Sequence, residues 1–280
     1  MAGSTNSDAP VALVTGAARG IGAATVAALT GAGWRVIATD ACADDPRLAY
    51  PLGTRAELDG VAARAPSSIR AVTADVRDVG ALRDAVDEGL DEFGRLDAAI
   101  GCAGVLAGGD PAWETTADTW NVQVEVNLTG MWHLATAAIP AILRSTGSAD
   151  DAAGGQGAGH GSFVAVSSAA GTTGLPMLSA YAASKHGVIG LVRSMAAELA
   201  PNEVTANVVC PGSTRTPILD ASAAVYGLDD AEAFRSHHLL DRLIEPSEVA
   251  ALIAYLCSDA AAAITGAVLP VDAGMTAHGG

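Results

Sequence analysis

The sequence predicts a single doubly wound α/β domain spanning residues 1–280, built on a seven-stranded parallel sheet. Three observations carry this. Seven short, largely apolar runs recur along the chain, with helical segments between successive runs. The runs mostly lack polar alternation, as expected of strands covered on both faces. Half of the 280 residues are hydrophobic while only 4 % are aromatic, which favours close helix–sheet packing and needs no disulfide framework.

The first run, Val11 to Thr15, leads into TGAARGIG, where a helix begins near Gly20. Gly16, Gly20 and Gly22 permit a tight turn and close backbone approach to a pyrophosphate, whose charge meets the helix N-terminus. Arg19 and Ile21 complete this candidate phosphate turn. The second strand, Trp34 to Thr39, ends at Asp40, 24 residues after Gly16. A carboxylate there can hydrogen-bond the adenosine ribose and would repel a 2′-phosphate, so the expected cofactor is NAD rather than NADP. Arg19 is the residue that argues the other way.

An insertion follows, Ala41 to Gly53, thirteen residues where strand-to-helix links usually take about 2–6. Leu48, Tyr50 and Leu52, set among Pro46 and Pro51, suggest a packed lid. Thr54-Arg55-Ala56-Glu57 is a capping box that starts the next helix. Strand three is Ile69 to Thr73, and Asp75-Val76 after it can serve the adenine edge. An acidic amphipathic helix is expected over Val79 to Phe93. Strand four, Leu96 to Ile100, precedes Gly101-Cys102-Ala103-Gly104. Asp118 to Leu143 is long enough for one bent helix or two joined ones, and holds Asn127. The low-complexity segment 147–161 reads as a flexible loop.

Strand five, Ser162 to Ser167, ends at Ser168, whose hydroxyl can hold a substrate oxygen. Tyr181 and Lys185 stand four apart on the following helix and so share a face. A free phenol has a pKa of about 10. A fixed neighbouring cation lowers it by about 1–3 pH units, which makes Tyr181 a general acid/base and Lys185 its tuner. Strand six, Val204 to Val209, precedes Pro211-Gly212-Ser213-Thr214-Arg215-Thr216. Leu219, Tyr226 and Phe234 beyond it are candidates for a substrate pocket. Ala250 to Val271 is the most membrane-like window, but its polar breaks point to a helix and the seventh strand, Ala267 to Val271.

A net charge of −16 argues against a nucleic-acid partner. Four scattered cysteines and no basic-then-apolar leader suggest a cytoplasmic protein with no membrane partner. His237-His238 lack ligand spacing, so no metal is expected.

TGAARGIG, the Asn127 segment, Ser168 and YAASK, in this order, resemble the short-chain dehydrogenase/reductase family. The resemblance implies a Rossmann-type domain, and hydride transfer between NAD and a small-molecule secondary alcohol or ketone. It makes Asn127, Ser168, Tyr181 and Lys185 the catalytic tetrad, sets Pro211, Gly212 and Thr214 on the nicotinamide-side loop with Thr216 at the carboxamide, and leaves Ala103 and Gly104 as backbone contacts. Gly101-Cys102 departs from the family's usual Asn-Asn and puts side-chain bracing there in doubt. The insertion, WETTADTW and TPILDASAAVYGLDD further resemble a branch associated with mycofactocin, a peptide-derived redox carrier. That likeness implies a non-exchanging NAD under the insertion, and the family implies a homotetramer. The rivals are an ordinary reductase with exchangeable NAD(P)H and a non-catalytic dinucleotide sensor.

Overall fold

A computed structural model describes residues 9–147 and 160–277. Most of the segment 147–161, read above as a flexible loop, lies outside the described residues. Seven strands form one all-parallel sheet in the order β3-β2-β1-β4-β5-β6-β7. They are β1 Val11–Thr15, β2 Arg35–Asp40, β3 Ile69–Thr73, β4 Ala98–Gly101, β5 Ser162–Val166, β6 Thr205–Pro211 and β7 Val268–Val271. Every expected strand is present, β1 and β3 with the expected bounds and the other five with shifted ends. β4 begins two residues late because Leu96 donates to the Ser145 hydroxyl and Asp97 turns to receive Val11 and Arg95.

Alternate strand residues fill two cores. Leu13, Ile37, Ala99 and Phe163 face helices α3 (Val79–Phe93), α5 (Gly130–Ser145) and α6 (Ser179–Leu199). Ala12, Val14, Val36 and Val164 face α1 (Gly20–Gly31), α2 (Arg55–Ala62) and α8 (Pro246–Leu256). Each buried valine or leucine contributes about 1.5–3 kcal/mol, so neither face of the sheet can be left bare. The Thr54 capping box forms: Thr54 Oγ1 accepts from Glu57 N, and Glu57 returns a bond to Thr54 N at 2.7 Å.

The long helical region resolves into α4 (Ala117–Gln123), a π-helical turn (Val124–Thr129) and α5. This path of 29 residues is long and apolar enough to cross a membrane, yet half of its most apolar window is buried in the fold, where it packs on α3 and α6. The remaining helix, α7 (Pro217–Val225), lies over the C-terminal ends of the strands with the segment Ala231–His237 behind it. β1 and β4 are neighbours from opposite halves of the winding, and the loops that follow them line a cleft at these ends.

Candidate active site

The cleft is a cavity of about 730 Å³, lined by every residue expected to touch the cofactor or substrate except Asn127. Its floor is the phosphate turn. Gly16 has φ +65°, and a Cβ there would lie 2.7 Å from Ala103 N; one on Gly22 would lie 2.0 Å from Gly16 O. Only glycine fits this crossing of β1 and the turn after β4. No side chain caps α1 and no acid sits in its first turn, so its leading amides remain available to an anion. Asp40 Oδ2 accepts from Ala18 N at 3.1 Å and Oδ1 from Cys42 N at 3.2 Å, which fixes the carboxylate at the adenosine end. These groups suit a dinucleotide.

Arg19 lines the cavity and also reaches the insertion. Its guanidinium donates to the Pro51 carbonyl at 2.6 Å and so straps the insertion. Asp75 lines the cavity but is engaged by Arg77 at 2.5 Å; burial works against its ionisation, and Arg77 outweighs it, leaving the carboxyl below its ordinary value. Arg77 also meets Asp45 of the insertion at 2.6 Å, and Arg47 joins Asp45 (2.8 Å) to Glu125 (2.9 Å) on the π turn. Arg47, and then Arg77, hold the Asp45 carboxyl far below the usual range against the pull of its burial.

At the inner end, Ser168 lies just past β5 and lines the cavity together with Tyr181; its hydroxyl accepts from Ala170 N at 3.1 Å. Lys185 Nζ donates to Val166 O at 3.1 Å and lies 5.8 Å from the Tyr181 ring centre. The expected tuning does not hold here. Burial governs the phenol and pushes it up to about 12, with Ser168 pulling the other way, while burial brings Lys185 down to about 8. The site therefore holds a protonated phenol beside a lysine that titrates near neutrality.

Asn127 stands behind the cavity wall, fully buried in the π turn. Its amide accepts from Val105 N (2.8 Å) and donates to Val105 O (2.9 Å) and Ser184 Oγ (3.1 Å). A Cβ on Gly104 would sit 3.3 Å from Asn127 Oδ1 and 3.4 Å from Lys185 Nζ, so the bare glycine lets these two approach. The bracing that Gly101-Cys102 put in doubt is supplied by threonines: Thr15 Oγ1 accepts from Ala103 N at 3.3 Å, and Thr25 Oγ1 lies 4.0 Å from Cys102 Sγ. In the loop Pro211 to Thr216, Thr214 donates to Gly212 O and Thr216 to Thr214 O, while the Thr216 methyl faces Gly20. Leu219, Tyr226 and Phe234 line the outer end with Leu106, Leu175 and Leu178.

The comparisons follow this geometry. Residues 16–276 match the family model described as enoyl-(acyl carrier protein) reductase. The chain belongs to the short-chain dehydrogenase/reductase family. It is 38 % identical to an uncharacterized oxidoreductase of Mycobacterium tuberculosis, over 94 % of this chain and 95 % of that one. It is 37 % identical to (-)-trans-carveol dehydrogenase of Rhodococcus erythropolis, covering 95 % and 97 %. Among solved structures, carveol dehydrogenase from Mycobacterium avium in complex with NAD superposes with a TM-score of 0.87, at 34 % identity and covering 96 % and 98 %.

Family motifs do not point to several residues that shape this member's site. Asp45 and Arg77 secure the insertion, Tyr50 Oη accepts from Leu106 N at 2.9 Å, and Gln123 Oε1 accepts from Ala107 N at 3.1 Å. Buried His238 accepts from Ser213 N through Nε2 at 3.1 Å while its Nδ1 meets Arg242 O, bracing the loop Pro211 to Thr216. An insertion with two prolines that carries Asp44, Asp45 and Arg47 was the available signal for the first group. No local pattern marks His238.

Proposed function

We propose that this chain oxidises an apolar, uncharged secondary alcohol, or reduces the matching ketone, with NAD held under the Ala41–Gly53 insertion and re-oxidised in place by mycofactocin. The chain is an NAD-dependent oxidoreductase of its family, and the carveol dehydrogenases among its relatives fit that substrate class. One observation carries the reading: a single cavity runs from Asp40 to Tyr181, roofed at the cofactor end by an insertion held through Arg19, Arg47 and Arg77.

Asp40 would hold the adenosine ribose, and the α1 amides the pyrophosphate. Bound NAD supplies the hydride acceptor at the carbinol carbon. Ser168 holds the substrate oxygen. In oxidation Tyr181 would take the hydroxyl proton as its own phenolic proton leaves toward Lys185, and in reduction it would give its proton to the carbonyl oxygen and be reprotonated from the Lys185 side. Asn127 keeps the wall beside Lys185 in place. Leu175, Leu178, Ile218 and Phe234 form an outer end without a fixed cation, which supports an apolar substrate over a carboxylate. We place the protein in the cytoplasm as a homotetramer; exposed Trp120 and Trp132 on α4–α5 are apolar surface that other copies would cover.

The test is to dialyse the purified protein, denature it and quantify released NAD, then assay carveol oxidation with an artificial electron acceptor. Near-stoichiometric NAD, lost when the insertion is shortened, and re-oxidation by added mycofactocin are the expected results. A protein that emerges empty and turns over freely with added NAD is the ordinary exchangeable enzyme, and no turnover with any alcohol or ketone removes the reading.

A further inference from the structure

Three successive amides in the loop after β4 are each held by a different side chain. Val105 N donates to Asn127 Oδ1 at 2.8 Å, Leu106 N to Tyr50 Oη at 2.9 Å and Ala107 N to Gln123 Oε1 at 3.1 Å. Asn127 and Gln123 belong to the helical path beneath the loop. Tyr50 comes from the insertion, 56 residues away, and reaches across the cleft. The amide it holds belongs to Leu106, whose side chain is buried against Tyr181, Ala170 and Leu178. Tyr50 thus touches the wall of the chemical site from the cofactor's roof.

We propose that Tyr50 is a positioning residue: by holding the Leu106 amide it sets the Leu106 side chain against Tyr181, so that closing the insertion and completing the substrate wall are one event. The argument rests on the reaction proposed above. The roof itself does not depend on Tyr50, because Arg19 to Pro51, and Asp45 to Arg77, hold it independently. Removing only the phenolic oxygen should therefore separate alcohol handling from cofactor retention. Once the amide has lost its acceptor, Leu106 is free to drift, and a displacement of under an ångström near reacting atoms is enough to slow catalysis.

The experiment compares wild type, Tyr50→Phe, Leu106→Ala and the double variant, using carveol and cyclohexanol. Expected for Tyr50→Phe is about a tenfold fall in kcat/KM for the alcohol, cofactor content within twofold of wild type, and faster hydrogen exchange at the Leu106 amide than at Val105 or Ala107. On the Leu106→Ala background the same change should add little, since Tyr50 acts through that side chain. Unchanged kcat/KM, a parallel loss of cofactor, or full additivity would each overturn the proposal. Wild-type turnover checks the reaction separately. Should wild type fail to turn over, the proposed function falls, and alcohol affinity by calorimetry replaces kcat/KM in the same comparison.

Discussion

Two covers close the same cleft by different physics. The insertion Ala41–Gly53 lies over the Asp40 end and is held by directional polar contacts: Arg19 to Pro51, and Asp45 to Arg47 and Arg77. The segment from Pro217 to His237 lies over the substrate end and is held mainly by apolar packing, with Leu219, Ala223, Phe234 and Leu243 buried together. A charge network fixes one geometry, as a constant cofactor requires. Apolar packing is non-directional and tolerates rearrangement around substrates of varied shape.

The sharpest test acts between the covers. Replacing Tyr181 by Phe should leave both intact and lower turnover by about 10³-fold or more, measured with carveol and an artificial acceptor, while NAD content is unchanged. Retained turnover would move the acid/base elsewhere. The next largest effect should be confined to the first cover. Asp45→Asn leaves Arg47 and Arg77 facing an uncharged group; these arginines are a quarter to a third exposed. The loss is therefore set below the full buried-pair penalty, at about 1–3 kcal/mol. That corresponds to NAD release faster by about 10- to 100-fold, read by stopped-flow exchange. KM for the alcohol should change far less. Phe234→Leu is the mirror test: about a tenfold fall in alcohol kcat/KM, with the NAD release rate unchanged. If either variant perturbs both ends equally, the two covers are one unit.

The smallest effect concerns the floor that both covers share. Burial brings Lys185 down to about 8, against an ordinary value of about 10.4. Below pH 8 the fold bears the whole cost of burying the ammonium. Between about pH 8 and 10 the folded lysine releases its proton before the unfolded chain does, so its contribution to stability rises with pH. Cys102 and Cys257, pushed up to about 12 by burial, pull the other way in that range. The readout is therefore a difference: the ligand-free wild type should gain about 1–3 kcal/mol on Lys185→Met between pH 8 and 10 in urea unfolding. A flat difference would mean that the lysine is not desolvated.

The strands were legible because two-sided burial leaves an apolar run, and the Thr54 helix start because a capping box is a local pattern. Gly16, Asp40, Ser168 and Tyr181 could be gathered from sequence because the order of strands decides which loops share an end of the sheet. The π turn at Asn127 was not legible, since its extra residue leaves no pattern distinct from a bend. The raised pKa of Tyr181 was not legible because sequence gives the neighbour at i+4 but not the depth of burial, and burial is the largest influence on the phenol. Arg19 was read through its place in the phosphate turn, whereas its partner, the Pro51 carbonyl, is 32 residues away.

The attachment of the insertion also has an order in time. Arg19 is made before the insertion, but Arg77, Leu106 and Glu125 are made after it, with Tyr50 and its partner 56 residues apart and Arg47 and Glu125 separated by 78. At about 5–20 residues per second, several seconds of synthesis pass between the insertion and its farthest anchor. Until residue 77 has emerged, none of the anchors at Arg77, Leu106 and Glu125 can form. The roof of the cofactor site is thus secured later than the pairing of β1 with β2, strands that both precede the insertion.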